Sequence, residues 1–252
     1  MRNTVVIDCF PQSVVRYRRG YAVVAIDVVR ATTTAITAAA AGRRCFPVPT
    51  LEAALALAAR HGDALLAGEQ RGIMPAGFHL NNSPTQLLAR TDIERPLILL
   101  SSSGTQLCHQ ATRCEAAFLA CLSNYVATAR YLAARFPAVA LIGAGSRNEF
   151  REEDQMCCAW LADALLEFGY RPADDVTAEI IRRWRNQPVD AWITNHSACY
   201  LRSSGQLADL EFILAHVADL DAVFALKNAE VVSAGLSPQS ASAGAAKVSY
   251  HA

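Results

Sequence analysis

The run Asp27-Val-Val-Arg-Ala-Thr-Thr-Thr34 gathers the side-chain types that handle a phosphate group: a carboxylate, a guanidinium three residues on, and the successive hydroxyls of Thr32, Thr33 and Thr34. The apolar stretch before it, residues 21–26, reads as a buried strand of a parallel sheet. An Ala-rich helix follows at once, so Asp27 sits at a strand's carboxyl end and the threonines at a helix N-terminus. Free N–H groups and the positive end of the helix dipole favour an anion there, and Arg30 can clamp it. A second reading is also open: Asp27 caps the turn and the threonines cap the helix.

Other predicted strand ends carry related chemistry. Residues 64–67 run into Gly68-Glu69-Gln70-Arg71-Gly72, again an acid beside an arginine between glycines. Residues 97–100 run into Ser101-Ser102-Ser103-Gly104-Thr105, a small hydroxylic loop that can cradle phosphate through backbone N–H groups. Asn81-Asn82-Ser83-Pro84 opens a helix with Ser83 as its N-cap. After residues 138–142 comes Gly143-Ala144-Gly145, and the next helix starts with Glu152-Glu153-Asp154, which also reads as dipole compensation. Hard oxygen ligands beside anion cradles suit Mg²⁺ acting with a phosphate ester.

The elements that position these loops alternate. Strands are predicted at 4–8, 22–26, 45–48, 64–67, 97–100, 116–119 and 138–142. Helices are predicted between them at 32–41, 51–60, 83–90, 104–110 and 125–136. This β–α alternation predicts a three-layer α/β/α sandwich around a mostly parallel sheet, with ligands outside the strands' carboxyl ends. From 151 the pattern turns helical (151–168, 174–185, 191–201, 208–217), with a returning strand at 222–226. The expectation is one α/β domain over 1–236 and a flexible tail, rich in Ser, Ala and Gly, over 237–252.

The chain has 252 residues, 52% hydrophobic and 18% charged, with 23 acids balancing 23 bases. It can bury a core, and its neutrality gives no reason to expect nucleic acid or membrane as partner. No run reaches the roughly 18 apolar residues of a membrane span. The eight cysteines form no C-x-x-C pair, so free thiols and a cytoplasmic setting are expected. A homodimer is an open expectation. There is no G-x-x-x-x-G-K-[ST] loop, no dinucleotide glycine triplet and no G-x-S-x-G elbow. Val29 stands where phosphatases with two aspartates two residues apart need the second acid, and the six histidines show no ligand spacing.

Taken together, the loops resemble the 2-phosphosulfolactate phosphatase family, the magnesium-dependent phosphatases of coenzyme M biosynthesis. Asp27–Thr34 resembles that family's D-V-L-R-A-T-T-T. Residues 68–72 and 77–84 resemble G-E-R-G-G and G-F-D-L-G-N-S-P, Ser101–Thr105 resembles T-T-N-G-T, and Glu153-Asp154 with Cys157 resembles E-D-x-x-C. The likeness runs from about residue 20 to 165. It implies a Mg²⁺-dependent phosphomonoesterase acting on a small phosphorylated anionic substrate, a 2-hydroxy acid ester. Asp27, Arg30 and Glu69 are expected to be catalytic, with Asp27, Glu69 and Asp154 around the metal. Thr32, Thr33, Arg71, Asn82, Ser102, Ser103, Gly104 and Thr105 are expected around the substrate. Departures fall at Gln70, His79, Asn81 and Ser103, where the family has Arg, Asp, Gly and Asn. A repurposed anion-binding relative, or a phosphatase with another small phosphoester or phosphonate substrate, is the alternative they raise.

Overall fold

The computed structural model describes residues 3–146 and 149–235, so the expected tail lies outside the described residues. Strands β1 (Thr4–Cys9), β2 (Ala22–Ile26), β3 (Cys45–Val48), β4 (Leu65–Gly68), β5 (Leu97–Leu100), β6 (Ala116–Ala120) and β7 (Ala138–Gly143) match the seven expected from the alternation. Helices α1 (Ala31–Ala40), α2 (Leu51–His61), α3 (Pro84–Leu88), α4 (Gly104–Ala111) and α5 (Tyr125–Ala133) connect them. Then come α6 (Glu152–Glu167), β8 (Arg171–Pro172), α7 (Asp175–Trp184), α8 (His196–Ser203), α9 (Leu207–Ala215), β9 (Val223–Lys227) and β10 (Glu230–Gly235).

All the strands join one sheet in the order β4-β5-β3-β10-β9-β6-β2-β7-β1-β8. Helices cover both faces, giving the three-layer α/β/α sandwich. β2, β4 and β5 are buried along their whole length, as continuous apolar strands must be when both faces are covered. The sheet is parallel except around the C-terminal hairpin. There β9 runs antiparallel to β6 and β10, and β10 runs antiparallel to β3. A returning strand is expected at 222–226 and β9 matches it; β10 is not expected, its Val-Val-Ser-Ala being buried only at Val231, half-buried at Val232 and Ala234 and exposed at Ser233.

Helix α1 shows how the site is assembled. Eight of its residues, from Ala31 to Ala38, are buried, because alanine and threonine are small enough for sheet and helices to close around it. It touches β3, β5, β6 and β10, and α4 touches β2, β3 and β6. The sheet therefore curls around α1 and α4. That brings the end of β5 to the end of β2, although four strands separate them in the hydrogen-bonded order.

Candidate active site

One cleft of about 290 Å³ opens at the carboxyl ends of the strands, lined by Asp27, Arg30, Glu69, Ser102 and Asp154 together with Arg71, Asn82, Ser103 and Arg151. Asp27 leaves β2 and is 8% exposed. Its Oδ1 accepts a hydrogen bond from Ala31 N at 3.1 Å, so it does cap α1. No hydrogen bond reaches Oδ2 among the described residues. Oδ2 instead packs against Gly104, where a Cβ would stand 2.0 Å from it. The capping reading holds for Oδ1, and it leaves Oδ2 unengaged at the edge of the cleft. Burial, then the charges of Glu69 and Glu153, push its carboxyl up to about 7.

Glu69 knits its own loop to the next. Oε1 accepts from Ser102 N at 2.7 Å, and Oε2 accepts from Ser102 Oγ at 2.8 Å and Gly72 N at 2.6 Å. Arg71 N donates to the same Ser102 hydroxyl at 2.7 Å. The two loops can meet because Gly68, at a φ of 148°, has no Cβ; one would lie 2.1 Å from Leu100 O. Asp154, on the first turn of α6, accepts from Val28 N at 2.8 Å and Gly145 N at 3.3 Å, tying the β2 and β7 loops together. Burial and the charges of Asp27 and Glu153 hold its carboxyl well above the usual range. Glu153 itself does not line the cleft, and its Oε2 accepts from Asn195 Nδ2 at 2.6 Å.

The acidic side of the cleft fits a hard divalent cation by its chemistry. Asp27 and Asp154 are buried carboxylates that each raise the other's cost of ionising, and a cation relieves that repulsion. Among the described residues, however, no three acidic, histidine or cysteine side chains are placed together as a cation site. The expected trio of Asp27, Glu69 and Asp154 shares a cleft without forming a three-ligand cage, and Glu69 is engaged by its loop. Mg²⁺ commonly takes one or two carboxylates and completes its shell with water, which this arrangement can provide.

Arg30 is 4% exposed, and its Nη1 lies 2.5 Å from Oδ2 of Asp209. Asn82 is 3% exposed, and its amide oxygen has no hydrogen-bond partner among the described residues.

Four of the expected substrate contacts do not line the cleft. The Thr32 hydroxyl accepts from Asp27 N at 2.9 Å and lies 2.8 Å from both Asp27 O and Ala120 O, so it locks the turn. The Thr33 hydroxyl donates back to Val28 O. Thr105 exchanges hydrogen bonds with Ser101 and is fully buried. Gly104 acts as the floor under Asp27. For each of the three threonines the backbone at the strand–helix turn claims the hydroxyl first. His79 is exposed, with Nδ1 accepting from Leu66 N and Nε2 beside Arg95; neither it, Gln70 nor Asn81 lines the cleft.

The sequence reading missed Arg151 and the residues His196, Ser197 and Tyr200 of α8, all of which line the cleft, and Asp209 behind it. Tyr200 donates to Gly72 O at 2.5 Å and holds the Glu69 loop. His196, Ser197, Tyr200 and Asp209 come from the helical C-terminal region, where no strand end marks a site, while Arg151 closes the β7–α6 loop just ahead of α6.

An α/β/α sheet whose strand-end loops converge acids, arginines and serine hydroxyls on one small cleft is the architecture of an enzyme with its site at the strands' carboxyl ends. The chain belongs to the 2-phosphosulpholactate phosphatase family of phosphoric monoester hydrolases, whose family model matches residues 9–229. A probable 2-phosphosulfolactate phosphatase of Symbiobacterium thermophilum is 33% identical over 182 residues, 68% of this chain and 76% of that protein. Proteins of the same description from Deinococcus radiodurans and Thermus thermophilus are 32% and 34% identical, over 74% and 75% of this chain and 80% and 81% of theirs. No helix among the described residues is long and apolar enough to cross a membrane.

Proposed function

We propose that this protein is a Mg²⁺-dependent phosphatase that hydrolyses the phosphate ester of a small 2-hydroxy acid, with 2-phosphosulfolactate, and so a step of coenzyme M biosynthesis, as the substrate its relatives' names indicate. The convergence of Asp27, Arg30, Glu69, Ser102 and Asp154 on one cleft carries this reading. Asp27 and Asp154 would hold the cation, with Glu69 fixing the neighbouring loop. When bound, Mg²⁺ polarises the phosphoryl group and lowers the pKa of a water. Arg30, Arg71 and the start of α4, whose Ser103 makes no side-chain cap, hold the non-bridging oxygens while charge shifts on them. Hydrolysis joins the water oxygen to phosphorus and breaks the ester P–O bond. Oδ2 of Asp27, left free while Oδ1 accepts from Ala31 N, would be the oxygen offered to the cation, and the water's proton passes to the ester oxygen as its bond to phosphorus breaks. The eight unpaired thiols support a cytoplasmic setting.

The rival reading of a non-catalytic anion binder rested on departures from the family pattern, yet Gln70, His79 and Asn81 lie outside the cleft and only Ser103 lines it. The test is a phosphate-release screen over small phosphorylated acids with Mg²⁺ and with EDTA. Release that EDTA abolishes is the expected result. Silence across the panel with tight anion binding would favour the rival.

A further inference from the structure

Helix α9 does not line the cleft, but it sends one carboxylate, Asp209, to the groups behind it. Asp209 is 2% exposed. Its Oδ2 accepts from Arg30 Nη1 at 2.5 Å. Its Oδ1 accepts from Ser83 Oγ at 2.7 Å, Thr85 N at 3.2 Å and Thr85 Oγ1 at 2.5 Å. Arg30 comes from the β2–α1 turn, and Ser83 and Thr85 flank the start of α3, next to Asn82 with its unpartnered amide oxygen. One buried acid therefore spans the two polar groups that face the cleft from its arginine side.

We propose that Asp209 is the positioning residue for Arg30, holding the guanidinium and the Asn82 turn in the geometry that grips the phosphoryl group. This rests on the phosphatase reading above. A guanidinium on a flexible stem loses orientation when nothing holds it, and a buried ion pair fixes one arrangement. With Nη1 committed to Asp209, the other donors of the fork are directed rather than free to turn. Asparagine at this position cannot serve both sides, because whichever way its amide turns, an NH₂ group meets either Arg30 Nη1 or Thr85 N.

The test compares wild type, Asp209→Asn, Arg30→Gln and the double variant, each first checked for a native melting transition. The readouts are kcat/KM for phosphate release and the inhibition constant of inorganic phosphate. Asp209→Asn is expected to lower kcat/KM by about 100-fold and to weaken phosphate by about tenfold. Adding it to Arg30→Gln should cost far less than it costs in wild type, at most about tenfold in kcat/KM and about threefold in the phosphate constant, because only the Asn82 turn is then left for Asp209 to hold. Losses that multiply in the double variant overturn the proposal. So does an unmoved phosphate constant, because a purely structural role shrinks the active fraction and leaves that constant alone. If Asp209→Asn does not fold, Asp209→Glu replaces it: the charge stays and moves by one methylene, and again a shifted phosphate constant supports the proposal while an unshifted one overturns it. Should wild type release phosphate from no small acid, the phosphatase reading falls separately, and calorimetry with inorganic phosphate decides. Weaker binding by the variant supports the positioning role; equal binding, or none by wild type, overturns it.

Discussion

Replacing Gly104 by alanine probes the site at its tightest contact. The new Cβ would stand 2.0 Å from Oδ2 of Asp27, 2.7 Å from its Cγ and 2.5 Å from the Ala31 side chain. Gly104 has no positive φ, so backbone strain plays no part and the whole effect is steric. Reaching the shortest normal contact requires Asp27 to retreat by about 1 Å, and a misplacement of that size costs on the order of 10²-fold in rate. Overpacking a closed site costs about 1–3 kcal/mol of stability in addition. Gly104→Ala should therefore fold, melt several degrees lower and lose about two decades of kcat/KM in a phosphate-release assay with Mg²⁺. Activity within about threefold of wild type in a folded protein would refute the placement of Oδ2 at the reacting centre, since an oxygen moved by about 1 Å cannot keep its role.

Asp27→Asn keeps the capping oxygen and removes the charge, so turnover should fall by orders of magnitude while the fold persists. In the metal-free protein the raised carboxyl, about 7 against an ordinary 3.8, means the native state binds the proton more tightly than the unfolded chain. Stability should then fall as pH rises from about 4 to 7, with a slope approaching 1.4 kcal/mol per unit from this group, and melting of Asp27→Asn should show a flatter profile across that window. Thr32→Val removes the turn-locking hydroxyl and should cost about 1–3 kcal/mol in urea unfolding; a rise in KM with unchanged stability would instead restore Thr32 as a substrate contact. Among the thiols, Cys199 is exposed whereas Cys45, Cys108, Cys121, Cys157 and Cys158 are buried. Alkylation followed by mass spectrometry should label Cys199 first and the buried five only on unfolding, and any disulfide in native protein would contradict the assignment of free thiols.

The strand-end logic made the parallel part of the fold and the acidic part of the site legible. Asp27, Glu69, Ser102 and Asp154 each follow a strand or open a helix, where an α/β sheet places its ligands. What stayed hidden has a common cause. Thr32, Thr33 and Thr105 carry the right functional group, but sequence does not show whether a hydroxyl will be taken by the adjacent backbone. Asp209 stands on the first turn of a helix, where an acid ordinarily serves the dipole, and nothing local marks a partner 179 residues away. The curl of the sheet is likewise not written in any one segment, since it follows from α1 being small enough to be enclosed.

The late hairpin also bears on how the chain must be made. β4, β5 and β3 form one hydrogen-bonded group and β6, β2, β7, β1 and β8 another, and among the described residues only β9 and β10 join the two. During synthesis, at about 5–20 residues per second, β10 emerges on the order of ten seconds after β5. Until then the nascent chain displays two raw sheet edges at β3 and β6, each a template for pairing with a neighbour on the same polysome. The site is divided in the same way, Glu69 and Ser102 arising from one group and Asp27 and Asp154 from the other. A ribosome that stalls before Val223 would leave a chain that is sticky as well as inactive.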